Sequence, residues 1–257
     1  MRRRLLIPLL VALLALSSGA VSRAEVEQTG NLRVTFDADF SPNALPRDRP
    51  APVKVEIEGR IATTDGSHPP ALRWLEVELH RNGRLFTQGL PTCSAPTLQS
   101  TSTETALSRC GPALVGRGDF RADVLLGREV PAVGEILAFN SRRNGKQSLL
   151  LHFFAGVPVR FTLVVPLTIG HRKEGEFGTV LRAKIPRLGG GLGSVTQIEL
   201  AIARRYSFRG QRRSYISAAC SAPPGFPGAL FSFARASFRF ESHREIRATL
   251  VRDCAVR

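Results

Sequence analysis

Two short stretches carry the side chains whose types and spacing bear on chemistry. In the first, Arg204-Arg205-Tyr206-Ser207-Phe208-Arg209-Gly210-Gln211-Arg212-Arg213, followed by Tyr215, arginines interleave with aromatic rings around a turn. Guanidinium forks grip phosphate or carboxylate through paired hydrogen bonds, and Tyr and Phe rings offer flat faces to sugars or bases. The pattern marks Arg204, Arg205, Tyr206, Phe208, Arg209, Arg212, Arg213 and Tyr215 as a binding surface for an anionic polymer. Arg235, Arg239 and Arg247 extend it if both hairpins share a sheet. A solvated hairpin whose long side chains shield an edge from aggregation has the same composition.

In the second stretch, Trp74, Glu76, Glu78 and His80 alternate with Leu75, Val77 and Leu79. Alternation puts the two carboxylates and the imidazole on one face of a strand, about 7 Å apart between successive outward positions. That spacing lies within the range of carboxylate pairs that hydrolyse glycosides, which makes an extracellular polysaccharide hydrolase the alternative reading. An ordinary solvent face spells the same pattern, and Glu56 with Glu58 and Asp37 with Asp39 repeat it without a histidine.

Other motifs reduce to connections. Arg117-Gly118-Asp119 reads as turn chemistry before a strand, and the Gly189–Gly193 loop does not lead from a strand into a helix as a phosphate-binding loop must. His68, His80, His152, His171 and His243 are scattered without metal-ligand spacing, and the chain has no HExxH, GxSxG or EF-hand sequence. No metal, no cofactor and no specific nucleic acid is expected, and no catalytic residue is assigned.

The chain has 257 residues and a formal charge of +15, with only four lysines among its basic residues. Such an excess favours loose association with polyanions through a screened field; GC-rich coding also produces arginine in place of lysine. Arg2-Arg3-Arg4, the apolar run Leu5–Leu16 and Ser22-Arg23-Ala24 read as a secretory signal peptide over 1–24. Twelve apolar residues are too few to span a bilayer, so no membrane anchor is expected after cleavage. Cys93, Cys110, Cys220 and Cys254 all follow the leader, an even count that implies two disulfides in an exported protein. Of three possible pairings, Cys93 with Cys110 and Cys220 with Cys254 joins near neighbours and secures the C-terminus.

The elements that must position these residues are strands. Leu32/Val34/Phe36, Val53/Val55/Ile57, Thr196/Ile198/Leu200/Ile202, Ala236/Phe238/Phe240 and Ile246/Ala248/Leu250 alternate with period two. Leu149–Phe154 and Phe161–Leu167 are apolar throughout, which suits strands covered on both faces. Asn82-Gly83, Asn144-Gly145 and Arg209-Gly210 separate strand-like runs as hairpin turns. One short helix is expected near 102–109, started by Ser102 or Thr103. The sum is an all-β chain, an antiparallel β-sandwich over 25–257. Cys93-Ser94-Ala95-Pro96 and Cys220-Ser221-Ala222-Pro223 echo one another, leaving open two related halves, 25–130 and 131–257.

Ser41–Pro52, Thr63-Thr64-Asp65-Gly66-Ser67-His68-Pro69-Pro70, Gly89-Leu90-Pro91-Thr92-Cys93, Cys110-Gly111-Pro112-Ala113-Leu114-Val115-Gly116 and Pro224-Gly225-Phe226-Pro227-Gly228-Ala229 together resemble an uncharacterised family of exported proteins from high-GC Gram-positive bacteria. The resemblance covers most of the chain after the leader and implies export, but no activity, cofactor or catalytic residue. The expectation is a secreted, non-catalytic protein of the cell envelope, with an anionic envelope polymer as its partner. A role in assembly by edge-strand addition is a third reading.

Overall fold

The computed structural model describes residues 24–125, 127–188 and 193–257. The expected signal peptide, except Ala24, and residues 189–192 of the glycine-rich loop lie outside the described residues. Antiparallel strands dominate, as the alternation requires: β1 (Glu25–Thr29), β2 (Leu32–Ser41), β3 (Ala44–Leu45), β4 (Ala51–Pro52), β5 (Lys54–Thr63), β6 (Leu72–His80) and β7 (Gly83–Leu85) precede two helices, α1 (Ala95–Leu98) and α2 (Thr103–Cys110). There follow β8 (Leu114–Leu125), β9 (Glu129–Arg143), β10 (Lys146–Ala155), β11 (Phe161–His171), β12 (Phe177–Lys184), β13 (Gly193–Ile202), β14 (Arg205–Phe208), β15 (Gln211–Ser214), β16 (Ile216–Ala218), β17 (Gly228–Phe240) and β18 (Glu245–Val256).

The fold is all-β, but the expected pair of facing sheets is replaced by one curled sheet, closer to a half-barrel than to a sandwich. Thirteen strands run in the order β1-β2-β5-β13-β8-β9-β10-β11-β12-β6-β17-β18-β3. The curl brings the two ends of the ladder together. Leu32, Val34, Phe36 and Ala38 of β2 bury against Ala236 and Phe238 of β17 and Ile246, Ala248 and Leu250 of β18. Arg252 of β18 pairs with Asp37 of β2 across the seam, and Arg244 donates to the Asn31 carbonyl oxygen Oδ1 at 2.7 Å. Glycines allow the bending. A Cβ on Gly118 would stand 1.8 Å from the Glu199 carbonyl oxygen, and one on Gly134 would stand 2.1 Å from that of Phe154. Such close backbone approach is a regular use of glycine inside strands.

Segments 25–130 and 131–257 share this sheet, because β13 lies between β5 and β8 and β6 lies between β12 and β17. The cysteine echo is not a structural one: the first bridge encloses α1 and α2, the second encloses β17 and most of β18.

Both expected disulfides are formed, Cys93–Cys110 and Cys220–Cys254, each with Cα atoms 5.6 Å apart. Paired sulfurs are the chemistry of an oxidising, extracellular type of environment. The expected helix is α2, whose N-cap Ser102 accepts from the Thr105 amide. A second, one-turn helix, α1, accompanies it; Pro96 in its first turn opens it where a missing amide hydrogen costs nothing. The helices cover the outer face of β9 and β10 with Leu98 and Ala106 against Leu137, Phe139 and Leu150. That cover explains why Leu149–Phe153 carries no polar alternation: all five positions are buried.

The antiparallel register sorts the turns into two ends. One, the cross-linked end, holds both disulfides, the β6–β7 and β11–β12 turns and the β14–β15 hairpin. The far end holds the β8–β9, β10–β11 and β17–β18 turns.

Candidate functional site at the cross-linked end

The arginine-aromatic stretch forms the two-stranded β14–β15 ribbon, turned by Arg209 and Gly210 with φ of 50° and 72°. Two successive positive φ angles are the geometry of a type I′ hairpin turn. Cross-strand register splits its side chains between two faces. Tyr206 opposes Arg213 and Phe208 opposes Gln211 on one face, while Arg205 opposes Ser214 and Ser207 opposes Arg212 on the other.

The aromatic rings hold the hairpin down instead of facing a ligand. Tyr206 Oη lies 3.1 Å and 2.9 Å from the carbonyl oxygens of Phe86 and Gln88, and its ring stacks on Phe86. Phe208 covers Gly89 so closely that a Cβ there would sit 2.0 Å from the ring. Tyr215 is a core residue, 1% exposed, with burial pushing its phenol well above the usual range. Burial raises Tyr206 as well, opposed by the nearby Arg213 charge. Arg204 is half-buried, so the residues left facing solvent are Arg205, Arg209, Arg212 and Arg213. Arg213 lies 4.9 Å over the Phe86 ring, and among the described residues none of the hairpin arginines is paired with a carboxylate.

Beside this hairpin the structure assembles a second basic surface. Arg81 and Arg84 follow β6, His171 closes β11 and Arg172 and Lys173 follow it, and together they border a cleft of about 490 Å³. The turns are tied by the Arg81 amide donating to Glu176 O at 2.9 Å and the Arg172 amide donating to Gly178 O at 2.8 Å. Glu174 and Glu176 lie on the intervening β11–β12 turn. The chain from Arg81 through Phe86 links cleft and hairpin, since Arg213 stacks on Phe86. Sequence reading missed this surface because its two segments are remote in the chain and meet only when β6 pairs with β12. Asn82-Gly83 is not the hairpin turn its composition spells: β7 leaves β6 and pairs with β16. Asn82 Nδ2 donates to Ser221 Oγ at 2.7 Å and its carbonyl accepts from Ala219, which holds the chain in that departure.

On β6, Trp74, Glu76 and Glu78 share the outer face, but both carboxylates are clamped. Glu76 meets Arg182 at 2.5 Å and Arg172 at 3.6 Å; Glu78, 3% exposed, meets Arg172 at 2.6 Å and Arg235 at 2.5 Å. Arg239 stacks on Trp74 at 4.3 Å and shares Glu245 with Arg247. His80 packs on Phe231 and accepts the Asn82 amide, and burial holds its imidazole below the ordinary value. The arrangement is a structural lattice with no open carboxylate pair. Arg235, Arg239 and Arg247 belong to it and do not extend the β14–β15 surface, which lies in a separate sheet.

The acids elsewhere form a row. Asp37, Glu58, Glu199, Asp119 and Glu135 stand directly opposite one another on β2, β5, β13, β8 and β9. Arg117-Gly118-Asp119 therefore lies within a strand, not in a turn. Like charges directly opposite weaken a sheet. Arg252 relieves Asp37, and Gln197 donates to Glu199 at 2.8 Å. Among the described residues no group of three His, Cys, Asp or Glu side chains is placed to hold a metal ion.

No family model, curated protein or solved structure matches this chain. The residues at the cross-linked end therefore stand on their own geometry.

Proposed function

We propose that the protein is exported, remains in or near the cell envelope, and acts there without catalysis by holding an anionic polymer against its cross-linked end. One contrast supports this reading. The arginines on the β6 face are neutralised by Glu76, Glu78 and Glu245, whereas Arg205, Arg209, Arg212 and Arg213 are exposed and, among the described residues, have no carboxylate paired with them. Unpaired guanidinium groups in a mobile counterion atmosphere attract phosphate, sulfate or uronate groups, and the attraction is screened by salt.

The cleft of Arg81, Arg84 and Lys173 supplies a neighbouring set of cations, so an extended polymer engages both surfaces at once. Two disulfides at this end hold the platform in shape in an environment without cytosolic repair. Retention on immobilised heparin tests the reading: the protein elutes at elevated salt, and R209S/R212S/R213S elutes several-fold earlier. Retention unchanged by that triple substitution contradicts it.

A further inference from the structure

Under the far end of the curled sheet, away from the β14–β15 hairpin, lies a cavity of about 100 Å³ whose lining is mainly apolar but includes Arg60, Thr196 and Gln197. Its walls come from both apolar clusters: Leu163, Val165 and Ala183 on one side, Val34, Leu75 and Phe238 on the other. Of the polar side chains that line it, Ser194 spends its hydroxyl on the Pro69 carbonyl at 3.3 Å and Gln197 donates to Glu199 at 2.8 Å. A well-packed interior leaves few voids larger than a water molecule, so an apolar space of this size forfeits contacts unless something fills it. Water gains little there, because it needs two or more polar partners; dry cavities of this order take up benzene-sized guests instead.

We propose that this cavity is a binding site for a small apolar group: a single ring, or the end of a hydrocarbon chain. The neighbouring turns match an apolar guest, for Leu125 precedes the β8–β9 turn and Val157 and Val159 lie on the β10–β11 turn, all exposed, with Val157 at 74%. The cavity sits at the same end, between the starts of β6 and β13 and the end of β12. Arg128 and Arg160 stand exposed on the same turns, where an anionic or zwitterionic head would rest if the guest is a chain.

Two probes decide both the binding and its source. Saturating benzene, and separately 1-decanol below its critical concentration, are added to the purified protein, and intermolecular NOEs to its methyl groups are recorded. NOEs from benzene to Leu163 and Val165 methyls support a free apolar molecule as guest; NOEs from the decanol terminal methyl to the same residues support a chain end. Ala183→Phe, which fills the space, abolishes either set and leaves the thermal midpoint equal or higher. If Ala183→Phe does not fold, Ala183→Val serves, with NOEs weakened several-fold. Absence of NOEs to cavity methyls with both probes, or NOEs confined to exposed Leu230 and Val251, overturns the proposal.

Discussion

At one end of the curled sheet the chain is stapled twice, at Cys93–Cys110 and Cys220–Cys254, and presents arginines that no acid among the described residues neutralises. At the other end, Leu125, Val157 and Val159 stand exposed on turns above a mainly apolar cavity, held by packing, backbone pairing and surface ion pairs such as Arg187–Glu241, with neither disulfide there. The same antiparallel ladder runs through both. Covalent ties sit where cations are crowded and repel one another; packing gaps sit where side chains are apolar and can adapt. Position along the strands, and not strand identity, divides the chemistry.

Removing the staples should break this contrast most severely. C220S/C254S closes no loop of 34 residues and should lose about 2–5 kcal/mol of unfolding free energy in denaturant titration, more than C93S/C110S with its separation of 17. Equal losses would mean that native-state packing, not chain restriction, decides their worth. At the far end, Leu163→Ala enlarges the existing cavity and should cost about 2–3 kcal/mol. A cost below about 1 kcal/mol there would show that the walls collapse freely.

A smaller effect on stability depends on pH. His152 is fully buried, with Nε2 3.0 Å from Thr101 Oγ1 and 3.1 Å from Thr101 O, and burial depresses its pKa below the ordinary 6.5. The unfolded chain takes up a proton that the folded chain refuses, so stability is complete above about pH 6.5 and falls as the pH drops below it. His80, also depressed, acts with the same sign. Asp123, raised by burial, acts oppositely, but nearer the carboxylate range. Denaturant midpoints at pH 7.5, 6.5 and 5.5 should fall progressively, with part of the slope removed by His152→Gln; an undiminished slope in that variant would exclude the buried imidazole as its source. The least effect on stability, within about 0.5 kcal/mol, is expected of Arg209→Ser, Arg212→Ser and Arg213→Ser taken singly, since each is exposed.

What was legible in the sequence was local. Alternation marked β2, β6, β17 and β18, the apolar run marked the doubly covered β10, Ser102 marked the start of α2, and cysteine proximity marked both bridges. What was hidden depends on register and strand order. Asp37, Glu58, Glu199, Asp119 and Glu135 become a row only when five strands align, and Arg81 meets Lys173 only because β6 pairs with β12. The sandwich expectation failed for a related reason: close contacts at Gly118 and Gly134 let one ladder curl, and no period in the sequence distinguishes a curled sheet from two facing ones. Tyr206, Phe208 and Tyr215 have the composition of a ligand platform, yet their rings serve to dock and anchor the hairpin.

Arginine footprinting with phenylglyoxal, with and without heparin, tests the central assignment most directly. Arg205, Arg209 and Arg212, with Arg84 in the adjoining cleft, should be protected by the polymer while Arg128 and Arg160 at the far end react as before. Equal protection at both ends, or protection only at Arg128 and Arg160, would contradict the account.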